Sequence, residues 1–142
     1  YPSFRPDKLF GIDGIEFTDY LKKLEACVSF SIADLSDLLK AIEDRVDFFH
    51  ENGCRISDFG MSKIFAHDFT EEKANVILKK SLTGEDISSD EVNLYASCIL
   101  FNLCKMYHSK GWVQQFHLGA LRNNNSKLLK IKVHSKSYSK DN

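Results

Sequence analysis

The stretch that most restricts the fold is an amphipathic segment that is followed at once by a glycine and a short strand-like run. Ser31 is the predicted N-cap of its helix, with Asp34 three residues further on, and Gly53 is the predicted residue just beyond its C-terminus. Apolar residues recur at helical spacing along it, at Ile32, Leu35, Leu38, Leu39, Ile42, Val46 and Phe49. This pattern predicts a helix with one buried face that leads directly into a strand.

The same order, a predicted helix followed by a short extended stretch, recurs along the chain. The predicted helices cover Ile15–Val28, the segment from Thr70 to about Leu82, and Val92–Ser109, which Ser88 and Glu91 introduce as a capping box. The extended stretches between them are Phe4–Asp7, Cys54–Met61 and the run after Gly111. Strands joined by helical crossovers pair in parallel, so the sequence predicts an α/β fold that is rich in helix and poor in sheet.

The predicted helix Val92–Ser109 is apolar almost all round, as its residues Leu94, Tyr95, Cys98, Ile99, Leu100, Phe101, Leu103 and Met106 indicate. A helix of this kind is expected to be largely buried. It needs more protein around it than 142 residues supply, and for this reason we expect the chain to be prone to self-association.

Composition limits the class of protein. An apolar fraction of 43%, a charged fraction of 27% and a net charge of −1 are typical of one soluble globular domain and give no general indication of nucleic-acid binding. No apolar run reaches the roughly 18 residues of a membrane span, and the first residues do not resemble a signal peptide. The four cysteines form no C-x-x-C pair, so we expect reduced thiols, buried at Cys98 and Cys104, and a cytoplasmic location.

The composition changes after Asn125. Residues 126–142 contain five lysines, several serines and one aromatic residue. A basic arm that binds nucleic acid would be expected to carry arginine and more aromatic residues. We therefore predict a disordered tail at 126–142 and a folded segment at 1–125.

Polar residues stand at the end of each extended stretch. Arg5 and Asp7 lie in the first stretch, Asp58 follows Ile56 and Ser57 in the second, and the third runs from Phe116 and His117 to Arg122 and Asn123. In parallel α/β folds, binding sites form where the strands end. Arginine binds carboxylates, whereas aspartate and asparagine bind hydroxyls. The pattern favours an anionic, hydroxyl-rich ligand, but a helical interaction domain with solvated polar residues remains the alternative.

Three strings of the sequence resemble the uronate isomerase (glucuronate isomerase) family of the amidohydrolase superfamily. They are Phe4-Arg-Pro-Asp7, Phe48-Phe-His-Glu-Asn-Gly-Cys-Arg-Ile-Ser-Asp58 and Gln115-Phe-His-Leu-Gly-Ala-Leu-Arg-Asn-Asn-Asn125. The resemblance implies a (β/α)8 barrel, of which this chain would be a central fragment with about three strands. It also implies isomerisation of glucuronate to fructuronate, and of galacturonate to tagaturonate, by proton transfer between C1 and C2 through an enediol.

The resemblance assigns roles residue by residue. His117 would be catalytic, whereas Arg5, Asp58, Arg122 and Asn123 would bind the sugar acid. The family uses a divalent metal, with zinc as the expected ion. The His-x-His pair and the last-strand aspartate of its metal site have no counterpart here, so we expect no metal ligand in this chain and no activity from the fragment alone.

Two other functions fit the same sequence. One is a non-catalytic helical interaction module that has kept the family's scaffold. The other is a hydrolase of the same superfamily, against which the run Arg122-Asn-Asn-Asn125 argues.

Overall fold

The computed structural model describes residues 2–119, which form four α-helices and two parallel β-strands. In chain order they are α1 (Phe17–Val28), α2 (Leu35–Glu51), β1 (Ile56–Met61), α3 (Glu71–Thr83), α4 (Ser89–Ser109) and β2 (Val113–Leu118). A short 3-10 turn, Asp7–Phe10, precedes α1. The predicted helix-rich α/β fold is therefore confirmed for this part of the chain.

The sheet is smaller than the sequence predicts. β1 and β2 pair in parallel, with Ile56 opposite Val113 and Met61 opposite Leu118. The expected third strand is reduced to a single parallel bridge, in which the Phe4 N–H donates to the Ile56 carbonyl at 3.0 Å and the Asp58 N–H donates to the Phe4 carbonyl at 2.9 Å. Pro6, which has no N–H, follows two residues later, so the ladder cannot extend far in this direction.

The predicted start of α2 is wrong by three residues. Asp34, not Ser31, is the N-cap, because its side chain accepts a hydrogen bond from the Asp37 N–H at 3.0 Å. The Asp37 carboxylate in turn accepts from the Ala33 N–H at 3.1 Å. The two aspartates thus form a reciprocal cap, and the chain before Asp34 stays extended.

The other predicted helix boundaries are close to those observed. Thr70 caps α3, and Ser88 and Glu91 form a complete capping box at α4. Gly53 and Gly111 end α2 and α4 with φ of 88° and 67°, values that glycine adopts without strain.

The main hydrophobic core lies among the helices, and a smaller cluster joins Phe59 and Met61 of β1 to Leu100 of α4. The apolar side of α2 is buried, and in α4 Tyr95, Cys98 and Ile99 are fully buried, as expected. Phe101 departs from that prediction and is 54% exposed. Burial raises the pKa of the Cys98 thiol to about 11. Cys104 is only half-buried, and burial raises the pKa of its thiol as well.

Within residues 2–119, none of the helices combines the length and the apolar character that a membrane crossing requires.

Candidate functional site

The two strands have one face against the helices and one face away from them. Phe59 and Met61 of β1 are buried, and the ring of Phe59 packs edge-on against Phe116 of β2 at 5.3 Å between centroids. Because side chains alternate along a strand, Asp58 and His117 project from the opposite face. That face carries Asp58 in the middle of β1 and His117 near the carboxyl end of β2.

Asp58 and His117 meet on this face. Nε2 of His117 lies 2.7 Å from Oδ1 of Asp58, and the two side chains are 49% and 24% exposed, respectively. This carboxylate oxygen is itself fully enclosed and has no hydrogen bond of good geometry from residues 2–119. The contact therefore brings a carboxylate oxygen against a ring nitrogen, an arrangement in which the carboxylate can hold the imidazole in one orientation.

Gln115 completes the group. Its Nε2 lies 3.0 Å from Nε2 of His117. Both contacts use the same ring nitrogen, which carries at most one proton and so can donate to Asp58 or accept from the Gln115 amide, but not both at once. Sequence reasoning gave Gln115 no role, although its position two residues before His117 on a strand was the signal that could have identified it.

Arg5 lies on the other flank of β1. Its Nε is 3.6 Å from Oδ2 of Asp7, and both side chains are substantially exposed. The other oxygen of Asp7 accepts a hydrogen bond from the Gly60 N–H at 3.3 Å. Asp7, to which the sequence pattern gave no individual role, therefore connects Arg5 to the end of β1.

Of the five predicted site residues, the structure brings two into contact. Asp58 and His117 touch, and Arg5 is held near the end of the neighbouring strand by Asp7. Arg122 and Asn123 lie outside the described residues, as does the predicted tail at 126–142.

The described residues do not fit a complete metal site. Asp58 and His117 are both ligand types, but residues 2–119 contain no group of three or more His, Cys, Asp or Glu side chains that could hold an ion. A protein zinc site uses three or four such ligands. Asp58 and His117 would therefore need further ligands from other parts of a protein to hold zinc.

A cavity of about 660 Å³ lies away from the strand ends, between α2, α3 and α4. Its lining includes Glu43, Asp44, Glu71 and Glu72. An acidic lining repels a sugar acid, so this cavity does not compete with the strand ends as a site for one.

The two parallel strands and the helices that connect them define the chain as part of a parallel α/β fold. The sequence profile of the glucuronate isomerase family matches residues 1–137. The chain therefore belongs to that family. The match extends beyond Asn125, and the boundary predicted there stays a prediction.

Curated relatives agree with this assignment. The uronate isomerase of Clostridium perfringens is 41% identical over 127 residues, which are 89% of this chain and 27% of that protein. The uronate isomerase of Yersinia pseudotuberculosis is 38% identical over 130 residues, 92% of this chain and 28% of that protein. The chain thus spans less than a third of the length of these relatives.

Two solved structures resemble the fold. The uronate isomerase of Thermotoga maritima superposes with a TM-score of 0.82 at 29% identity, over 91% of this chain and 29% of that one. The glucuronate isomerase of Caulobacter crescentus gives a TM-score of 0.74 at 23% identity, over 90% of this chain and 26% of that one, and supports the fold alone. The described helices and strands therefore match one part of a uronate isomerase structure.

Proposed function

We propose that this chain supplies one wall of the substrate site of a uronate isomerase and forms part of its (β/α)8 barrel. The observation that carries the proposal is the contact between Asp58 of β1 and His117, near the carboxyl end of the adjacent parallel strand β2, in a chain that belongs to the glucuronate isomerase family.

The proposed chemistry is the interconversion of an aldose and a ketose form of a hexuronate. A proton leaves C2, an enediol forms, and a proton returns at C1. His117 is the proposed proton carrier, because an imidazole can gain and lose a proton near neutral pH. Asp58 orients its ring and stabilises its charged form.

Arg5 is the proposed partner of the uronate carboxylate. A guanidinium presents paired N–H donors that match a carboxylate. The present partner of Arg5 is Asp7, at 3.6 Å and exposed to solvent. An exposed pair of this kind stabilises by only about 0–1 kcal/mol, so a substrate carboxylate can displace it. Arg122 and Asn123 are proposed to bind substrate hydroxyls.

A divalent metal belongs to the same proposal, and zinc is the expected ion. Its ligands would come from parts of the longer relatives that this chain does not cover. We accordingly expect the chain alone to be catalytically inactive.

Titration with glucuronate separates this proposal from a non-catalytic interaction module. Glucuronate added to the 15N-labelled chain is expected to shift amide resonances of Asp58 and His117, with weak affinity because only one wall of the site is present. The shifts should be lost in Arg5→Ala and His117→Ala. His108→Ala is the matched control, because His108 is an exposed histidine at the end of α4. Shifts that persist equally in all three variants, or no shifts at all, would favour the interaction module.

A further inference from the structure

A second pocket, separate from the contact between Asp58 and His117, lies between α1, α2 and the segment around Phe4. Its volume is about 220 Å³. The cationic side chains of Arg5, Lys23 and Arg45 border it, and no aspartate or glutamate of the described chain does. Its floor is apolar, because the half-buried ring of Phe49 lines it together with the buried Leu24 and Ile42.

Arg45 is held in place without being neutralised. Its guanidinium carbon lies 4.4 Å from the ring centroid of Phe48 and 5.6 Å from that of Phe49. Stacking on aromatic rings occupies the flat face of a guanidinium and leaves the N–H donors at its edge available. Among residues 2–119, no carboxylate lies within salt-bridge distance of Arg45 or Lys23.

Tyr20 adds a neutral donor to the same pocket. Burial, and to a smaller extent the nearby Cys27, raises the pKa of Tyr20 to about 12, while Arg45 acts in the opposite direction. The hydroxyl therefore keeps its proton at neutral pH and can donate a hydrogen bond to an anion.

We infer that this pocket binds a small organic carboxylate with an apolar body. The carboxylate accepts hydrogen bonds from Arg45, Lys23 and Tyr20, and the apolar body covers the exposed part of the Phe49 ring. A free inorganic anion would leave the apolar floor exposed to water, and a neutral molecule would leave the cations unpaired. Arg5 borders this pocket and belongs to the proposed substrate site, but the three donors named here do not include Arg5, Asp58 or His117, so benzoate binding is tested separately from the proposed function.

Benzoate is a suitable probe, and benzyl alcohol is its neutral counterpart of similar size. Benzoate added to the 15N-labelled chain is expected to shift resonances of Arg45 and Tyr20 with saturation, whereas benzyl alcohol should not. Arg45→Gln and Lys23→Gln should each weaken benzoate binding by roughly tenfold, the loss of one charge-assisted hydrogen bond. Lys22→Gln is the matched control, because Lys22 is 74% exposed and pairs with Asp19 at 3.8 Å on the same helix.

Cys27 gives a second readout that needs no variant. It is exposed and lies in the pocket lining, so bound benzoate should slow its alkylation by iodoacetamide, and the same concentration of benzyl alcohol should not. The inference is overturned if the alcohol protects Cys27 equally well, if benzoate gives no protection, or if Arg45→Gln binds benzoate as tightly as Lys22→Gln.

Discussion

Two buried serines show how much the partner of a hydroxyl matters in this fold. Ser57 is fully buried in β1, and its hydroxyl has no hydrogen-bond partner among residues 2–119. Ser97 in α4 is 3% exposed, donates to the Asn93 carbonyl at 2.7 Å and accepts from the His67 N–H at 3.0 Å. The first hydroxyl is desolvated without compensation, whereas the second holds the loop before α3 against α4.

The same substitution should therefore have opposite effects at these two sites. Ser57→Ala is expected to raise the free energy of unfolding by about 1 kcal/mol, because it removes an unpaired buried polar group. Ser97→Ala is expected to lower it by about 1–3 kcal/mol, because the His67 N–H loses its acceptor. Urea unfolding followed by circular dichroism measures both, and a change of the same sign and size in the two variants would contradict this account.

At the scale of elements, the helices could be predicted from sequence because their signals are local. The Ser88–Glu91 capping box and Gly53 mark helix ends through chemistry within a few residues. The start of α2 could not be placed so well, because Ser31 and Asp34 are both good caps and only the reciprocal contact with Asp37 decides between them. The reduced strand at Phe4 depends on pairing with a distant segment, which local pattern does not report.

The capping box of α4 gives a pH-dependent contribution to stability. The pKa of Glu91 is lowered to about 2, chiefly by the Lys80 ammonium at 2.6 Å and then by the Ser88 N–H at 2.9 Å. Since the folded-state pKa lies below the ordinary value of 4.5, this stabilisation is complete above pH about 4.5 and is lost as the pH falls toward about 2.

Glu91→Gln tests this contribution, because glutamine can still accept the capping hydrogen bond but carries no charge. The urea midpoint of the wild-type chain should exceed that of the variant at neutral pH, and the difference should shrink as the pH falls below about 4.5. A difference that stays constant across this range would show that the charge of Glu91 has no such role.

At the scale of the whole molecule, the exposed edge of the two-stranded sheet is the feature that favours self-association. Val113 on the open face of β2 is 62% exposed, and Leu118 on the other face, at the end of the strand, is 47% exposed. Within residues 2–119 the only strand paired with β2 is β1. An exposed edge strand with apolar side chains favours association. We propose that the isolated chain self-associates through this strand.

Sedimentation velocity tests that proposal. Val113→Lys is expected to shift the chain toward monomer at tens of micromolar, because a lysine at an edge opposes strand pairing. Val76→Lys is the matched control, since Val76 on α3 is 57% exposed and lies away from the sheet. Equal association in both variants would place the contact elsewhere.

The candidate site could be predicted from sequence only in part. The placement of Asp58 and His117 on strands follows from the alternation of helix and strand, but their 2.7 Å contact depends on the register of β1 with β2. The contact of Gln115 with His117 lies within β2, so the spacing of two residues along a strand could have predicted it. Asp7 was overlooked as a link because its partner, the Gly60 N–H, is far away in sequence.

The most direct test of the central claim transfers this chain into an active relative. Residues 2–119 would replace the matching segment of the Clostridium perfringens uronate isomerase, and conversion of glucuronate would be followed by NMR. The chimera is expected to be active. The substitution His117→Asn in the chimera should lower kcat by about 10²–10⁴-fold. The control substitution His108→Asn should leave kcat unchanged. A folded, active chimera in which His117→Asn keeps full activity would contradict the proposed role of this strand end.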